Sequence, residues 1–144
     1  MTPADPFQVE VSYQQARDIL LIRTEGVIDR DSMITLFHAS ADAAAKYHCH
    51  RFFLDHRASP LNLKASEMVQ VPDELYRHGV VDHKAALLFN EIGHKERFLE
   101  TSCLNRGVNA KVFSDPVHAL LWLTFGSMGF DPQPGIRPDV RPFQ

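Results

Sequence analysis

Two short apolar runs limit the fold of this sequence more than any other feature. RFFLD at residues 51–55 and KAALLFN at residues 84–90 are largely apolar and lie between segments with helical spacing. Continuous apolar runs of this length are typical of strands that are covered on both faces, as in parallel sheets. The sequence therefore predicts an α/β fold in which these runs are buried strands.

The chain before these runs adds a hairpin and a helix. VEVSY at residues 9–13 alternates apolar and polar residues, and ILLIRTEGVI at residues 19–28 follows after a polar turn, which predicts two antiparallel strands. Asp29 and Ser32 are residue types that commonly begin a helix. Apolar residues then recur at helical spacing as far as His48, so we expect an amphipathic helix there.

The remaining elements follow from prolines and a glycine. A long loop is expected over residues 56–71, with a helix that begins at Pro72 because proline suits the first turn. Gly107 ends a further helix, residues 109–115 form a last strand, and Pro116 begins the last helix. The predicted order is β-β-α-β-α-β-α-β-α, an open mixed sheet of about five strands covered by helices.

We expect a single domain over residues 1–126, without an internal repeat, followed by a C-terminal arm over residues 127–144. The arm contains four prolines, Pro132, Pro134, Pro138 and Pro142. These prolines exclude a regular helix or a central strand. Arms of this kind often dock on a neighbouring subunit, so a homodimer is a further hypothesis.

Composition and charge argue against several classes of function. The 144 residues carry a formal charge of -3 and no long basic block, which argues against nucleic acid as the main partner. No apolar run approaches the roughly 20 residues of a membrane-spanning helix, and the start MTPADPF lacks the features of an export signal. Cys49 and Cys103 are expected to be free thiols, so we predict a protein of the reducing cytoplasm.

A resemblance to a known family rests on the C-terminal half of the chain. After AALLFN comes a helix ending in FLETSCLNRG and then the stretch VNAKVFSDPVHALLWL. This order resembles the last unit of the bacterial STAS or SpoIIAA-like proteins: a strand ending in Val-Phe, an acidic turn, and a helix with Ala and Trp-Leu. The matching positions are Val112, Phe113, Asp115, Ala119, Trp122 and Leu123. Gly26 and FFLDHR extend the resemblance more weakly, to roughly residues 7–125, and packing residues of this kind speak for the fold.

The resemblance implies a SpoIIAA-like fold and a non-enzymatic regulatory or interaction module with a protein partner. In anti-sigma factor antagonists of this fold, a serine after the third strand is phosphorylated within a pattern similar to Asp-Ser-Ser-Gly or Asp-Ser-Thr-Gly. Here DHRASP, residues 55–60, takes that place and lacks the glycine. Ser59 is therefore the candidate phosphoacceptor in a chain without the usual motif. The alternative is that Ser59 only caps a turn that begins at Pro60.

Histidines near the strand ends raise the questions of metal binding and catalysis. His48, Cys49 and His50 do not have the spacing of a zinc site, so no metal and no other cofactor is predicted. The sequence has no glycine-rich phosphate loop, no GxSxG elbow and no His-Glu-x-x-His motif. His56, Asp55 and Glu91 lie near neighbouring strand ends, where an acid–base cluster is one interpretation. Polar residues at strand ends are common without catalysis, so we predict no catalytic residue and no enzyme activity.

The loops after the third and fourth predicted strands form the candidate surface for a ligand or partner, because open α/β sheets bind ligands at this edge. Its members are Asp55, His56, Arg57, Leu61, Leu63, Met68, Glu91 and His94. The irregular segment SPLNLKASEMVQVPDELY is also rich in apolar side chains that can line a groove. The alternative function is therefore a carrier of a small apolar ligand or lipid, or a membrane-associating SpoIIAA-like protein.

Overall fold

The strands and helices follow the predicted order. In the computed structural model, which describes residues 6–80 and 82–125, the strands are β1 (Gln8–Gln14), β2 (Ile19–Glu25), β3 (Arg51–Ala58), β4 (Lys84–Leu88) and β5 (Asn109–Phe113). The helices are α1 (Arg30–Tyr47), α2 (Ala65–Arg77), α3 (His94–Asn105) and α4 (Pro116–Phe125). This arrangement confirms the predicted α/β fold with a mixed sheet.

One sheet holds the five described strands in the order in which they occur along the chain. β1 and β2 form the predicted antiparallel hairpin, in which Val11 lies opposite Ile22. The strands from β2 to β5 run parallel, and Leu54 of β3 is aligned with Leu87 of β4. Parallel neighbours need a crossover connection, and α1, α2 and α3 supply the three that this sheet requires.

Helices lie on both sides of the sheet. Leu54 belongs to the same core cluster as Leu36 of α1, whereas the adjacent Phe53 belongs to a cluster with Ala119 of α4. The separation arises because successive residues of a strand point to opposite faces. We call the side towards α1, α2 and α3 the front face and the side towards α4 the back face.

Local capping explains where α1 and α4 begin. Asp29 accepts a hydrogen bond from the main-chain N–H of Ser32 at 2.9 Å, as its residue type predicts. Asp115 accepts one from the N–H of Val117 at 2.8 Å. Pro116 is the first residue of α4, where the missing N–H of proline would have no helical partner in any case. Both predicted starts are confirmed.

The prediction for α2 was wrong in its start. The helix begins at Ala65, so the second half of the expected loop is helical and Pro72 lies inside the helix. Glu67 accepts a hydrogen bond from the N–H of Lys64 at 2.8 Å, which satisfies one of the unpaired donors at the start of the helix. Pro72 removes one helical hydrogen bond, but its ring is fully buried, and this packing offsets the loss.

β3 is longer than predicted and reaches Ala58, because the end of β2 continues beside it and Glu25 is aligned with Ala58. β4 and β5 are both shorter than predicted and stop at Leu88 and Phe113. These differences concern the ends of strands, where the sequence carries the weakest signal.

Three other predictions concern the chain as a whole. Cys49 and Cys103 are free and buried, as expected. None of the helices within the described residues has the length and apolar character needed to cross a membrane. The arm over residues 127–144 lies outside the described residues.

Candidate functional site: the front-face cavity

A cavity of about 570 Å³ lies between the front face of the sheet and the helices above it. We call it the front-face cavity. Most of its wall is apolar, and typical members are Leu36, Leu54, Leu63, Val71, Leu87 and Leu99. Its volume falls within the range of about 300–1,000 Å³ that is usual for small-molecule sites in proteins.

The cavity exists because the backbone of α2 stands away from the sheet, above a floor that includes two small side chains. Within the described part of the chain, no Cα atom of α2 lies within 8 Å of a Cα atom in a strand, whereas α1, α3 and α4 all approach that closely. Ala85 of β4 and Ala110 of β5 lie on the floor below. Small side chains and a distant helix leave space that larger residues would otherwise fill.

The cavity opens at one edge of the sheet and is closed at the other. His50, Asp82 and Asn109, next to the amino ends of the strands, are exposed members of its wall. At the carboxyl ends, the wall contains His56 and Phe89, both buried. The predicted ligand surface at the loops after β3 and β4 therefore corresponds to the closed end, while the mouth lies at the opposite edge.

A buried hydrogen-bonded cluster forms part of the closed end. The Nδ1 atom of His56 lies 2.7 Å from the Oγ1 atom of Thr24, and this oxygen lies 2.7 Å from the Oγ atom of Ser59. His56 is 4% exposed, and its ring contacts Phe89 with centroids 5.4 Å apart. Burial disfavours the imidazolium form and lowers the pKa of His56 from 6.5 to about 4, so its ring is neutral at pH 7.

Ser59, the candidate phosphoacceptor, is only 3% exposed and is engaged with Thr24. A kinase needs an accessible hydroxyl, so Ser59 would have to leave this cluster before modification. Phosphorylation of Ser59 stays a prediction, and its burial argues against it in this conformation.

The structure divides the predicted surface residues among three places. His56, Leu61 and Leu63 line the front-face cavity. Met68 is buried in the core beneath α2 but is not part of the cavity wall. Glu91 and His94 are exposed, and Asp55 and Arg57 line a groove on the back face.

Asp55 and His56 therefore do not act together, because adjacent strand residues point to opposite faces. Among the described residues, no hydrogen bond joins His56 to Asp55, Glu91 or His94. Asp55 instead pairs with Arg57 at 2.9 Å, and the hydrogen bonds from Arg57 hold the pKa of Asp55 below its usual 3.8. An acid–base cluster of His56 and Asp55 with Glu91 or His94 at the strand ends is therefore not assembled.

Metal binding has no support in this arrangement. His50 and His83 come close, with ring centroids 5.2 Å apart, but His83 stacks on Phe52 at 4.7 Å. Across residues 6–80 and 82–125, no group of three or more His, Cys, Asp or Glu side chains is placed to hold a metal ion.

Some important residues of the cavity were missed at the sequence level. Ala85 and Ala110 form its floor, and Thr24 holds His56 in place. A threonine inside the apolar run of β2 was a usable signal, since a buried hydroxyl needs a partner. The alanines carried no comparable signal, because alanine is common in filled cores as well.

Solved structures share this architecture. An uncharacterized protein with a SpoIIAA-like fold from Shewanella loihica is 14% identical, with a TM-score of 0.57 over 85% of this chain and 98% of its own. This chain has a SpoIIAA-like fold. An anti-sigma factor antagonist from Mycobacterium paratuberculosis is 11% identical, with a TM-score of 0.55 over 85% of this chain and 98% of its own. No protein-family model and no curated protein matches the sequence.

The resemblance inferred from the sequence is thus confirmed for the fold. At such low identities the SpoIIAA-like fold is what the two proteins share with this chain, and a shared fold does not transfer a function. The function has to be argued from the front-face cavity and the residues around it.

Proposed function

We propose that this SpoIIAA-like protein binds a small apolar molecule or a lipid chain in the front-face cavity and acts as its carrier or sensor. The observation that supports the proposal is a mostly apolar cavity of about 570 Å³ beneath a helix whose backbone stays clear of the sheet. Pockets of this size with mostly apolar walls are the usual form of small-molecule sites.

The size of the cavity argues against an ordinary packing defect. Protein interiors contain few voids larger than a water molecule. Water in a space with mostly apolar walls finds few hydrogen-bond partners, so the cavity is unfavourable without an apolar ligand. An apolar occupant would offset much of this cost.

The attachment of α2 suggests how a ligand enters. Glu74 of α2 pairs with Arg30 of α1 at 3.5 Å, and Asp73 pairs with Arg106, just after α3, at 2.6 Å. The Asp73–Arg106 pair is about half exposed on both sides and contributes little to stability, whereas the Glu74 side chain is buried at 6% exposure. A ligand that enters beneath α2 would have to break the buried pair as well as the exposed one.

A regulatory module that acts through a protein partner is the second candidate. Its support is the resemblance of the sequence to STAS antagonists together with exposed apolar residues on α4, where Val117 is 61% exposed and Phe125 is 47% exposed. Four further statements about this protein are also proposals. They are that it has no enzyme activity, acts in the cytoplasm, associates with membranes and forms a homodimer. Light scattering of the full chain tests the homodimer, and co-sedimentation with vesicles tests membrane association.

Titration with diphenylhexatriene, a hydrocarbon whose fluorescence rises in apolar surroundings, tests the carrier proposal directly. We expect saturable binding with one probe per chain. Mass spectrometry of protein from its native host, under native and denaturing conditions, should show an adduct that is lost on denaturation. Absence of saturable probe binding would contradict the proposal.

A further inference from the structure

The polar atoms of the front-face cavity restrict the kind of ligand that it accepts. Two cationic residues contribute to its wall, but their charged groups are engaged elsewhere. Arg51 donates to the main-chain oxygens of Asp18 and Leu123, at 3.2 Å in each case. Lys84 donates to the main-chain oxygen of Trp122 at 2.7 Å. Both cations thus hold the end of α4 on the back face, away from the interior of the cavity.

Away from the mouth, Ser40 and Cys103 are polar groups of the wall that offer no charge. Ser40 donates to the main-chain oxygen of Leu36 at 2.8 Å, within α1. Burial raises the pKa of the Cys103 thiol to about 12, so this side chain is uncharged at pH 7. Asp82 and His50 are exposed at the mouth. A charged head group inside the cavity would therefore lose its hydration without gaining an ion-pair partner, which is strongly unfavourable.

His56 differs from these groups because one of its two ring nitrogens is available. Thr24 holds Nδ1, and within the described part of the chain Nε2 takes part in no hydrogen bond. The side chain is 4% exposed and lines the cavity at its closed end. A ring nitrogen that lies among apolar side chains without a hydrogen-bond partner is costly unless something supplies one. A ligand bound in the cavity can supply the hydrogen-bond partner of Nε2.

On the basis of the proposed function, we infer that His56 anchors the ligand by a hydrogen bond at Nε2 and that the ligand is a long apolar molecule with an uncharged polar end, such as an alcohol. The apolar part then lies along the floor of Ala85 and Ala110 towards the mouth. At about 3.3 Å per strand residue, the distance from Arg51 to His56 along β3 is roughly 16 Å. An unbranched chain fits this length.

An alcohol satisfies His56 whichever way the cluster is protonated. If Thr24 donates to Nδ1, then Nε2 carries the proton and donates to the ligand. If Nδ1 donates to Thr24, then Nε2 accepts from the ligand. A hydroxyl group can accept in the first case and donate in the second. A carboxylate can only accept and an ammonium can only donate.

The test is displacement of diphenylhexatriene from the full chain by decanol, decanoate and decylamine at pH 7.5. These probes have the same chain length and differ in the charge of the head group. For the wild-type protein we expect decanol to displace the fluorophore at the lowest concentration. In His56→Phe, the affinity for decanol should fall roughly fivefold relative to that for diphenylhexatriene, which is the loss expected for one hydrogen bond. His56→Gln, which keeps a polar group, should recover part of the loss.

The alternative outcomes are distinguishable. Probe binding with stronger displacement by decanoate, or an unchanged decanol ratio in His56→Phe, overturns the anchoring role and leaves the carrier proposal intact. Failure of the wild-type protein to bind diphenylhexatriene overturns both. Circular dichroism establishes whether His56→Phe is folded. If it is not, the order of head groups in the wild-type protein and the His56→Gln comparison decide the matter.

Discussion

The strongest test of the front-face cavity is a pair of substitutions at neighbouring positions of β4. Ala85 lines the cavity, whereas Ala86 is fully buried on the back face and belongs to the cluster packed against α4. Replacing either alanine by leucine adds the same three carbons. The two variants differ only in whether space is available for them.

The expected effects have opposite signs. In Ala85→Leu the new carbons enter the cavity, and burial at about 0.8 kcal/mol per carbon, less the side-chain entropy, stabilises the fold by about 1–2 kcal/mol. In Ala86→Leu there is no free space, and overpacking costs about 1–3 kcal/mol. For a chain of this size, 1 kcal/mol corresponds to roughly 3 °C in Tm. The Tm should thus rise by about 3–6 °C in the first variant and fall by about 3–9 °C in the second, on the same scale.

Thermal and urea unfolding measure the stabilities, and titration with diphenylhexatriene measures occupancy of the cavity. Ala85→Leu should weaken probe binding while raising stability, because the leucine competes for the same space. Equal destabilisation by both variants would refute the reasoning, since it would mean that the front face is as closely packed as the back face.

Three further predictions concern buried polar groups. The pKa of His56, about 4 in the folded chain and near 6.5 when unfolded, means that only the unfolded state gains a proton between these pH values. The free energy of unfolding should therefore fall by up to about 3 kcal/mol from pH 6.5 to 4. Urea unfolding at several pH values should show this slope in the wild type and in a His94→Gln control but not in His56→Phe. Ser59→Asp places a carboxylate in a buried cluster and should destabilise the fold by roughly 2–5 kcal/mol. An unchanged midpoint of urea unfolding would show that residue 59 is exposed to solvent. Cys103, with a pKa raised to about 12, should resist iodoacetamide at pH 8 in the folded chain and react in urea, as peptide mass spectrometry can show.

Elements encoded by neighbouring residues could be predicted from the sequence. Asp29 and Ser32 set the start of α1, and Asp115 and Pro116 set that of α4, because capping depends on residues a few positions apart. The strands followed from their apolar patterns, and their order in the sheet agreed with the simplest connection of the elements.

α2 shows where this reasoning failed. Met68, Val71 and Leu75 have helical spacing and lie in the helix, but the sequence pattern predicts Pro72 as its first residue. The local preference of proline for a first turn is correct in general. Here the burial of Pro72 against other parts of the protein overrides it, and such burial depends on tertiary packing.

The site was less predictable than the fold, because its contacts join distant positions. His56 was recognised as a candidate, but its partner Thr24 is 32 residues away and lies on another strand. Which residues of β2 and β3 come together depends on the register, which is irregular between Arg23 and Glu25. The cavity itself depends on how far α2 lies from the sheet, a distance that no pattern of apolar residues encodes.

The alternation of β4 between the two faces has a practical consequence for engineering. Ala85, Leu87 and Phe89 belong to the wall of the cavity, whereas Ala86 and Leu88 belong to the core beside α4. A library that varies only the odd-numbered positions would change the shape of the binding site and leave the support of the sheet intact. The residues that face the ligand are thus separate from those that pack against α4, so the shape of the binding site can be varied without changing the core of the back face.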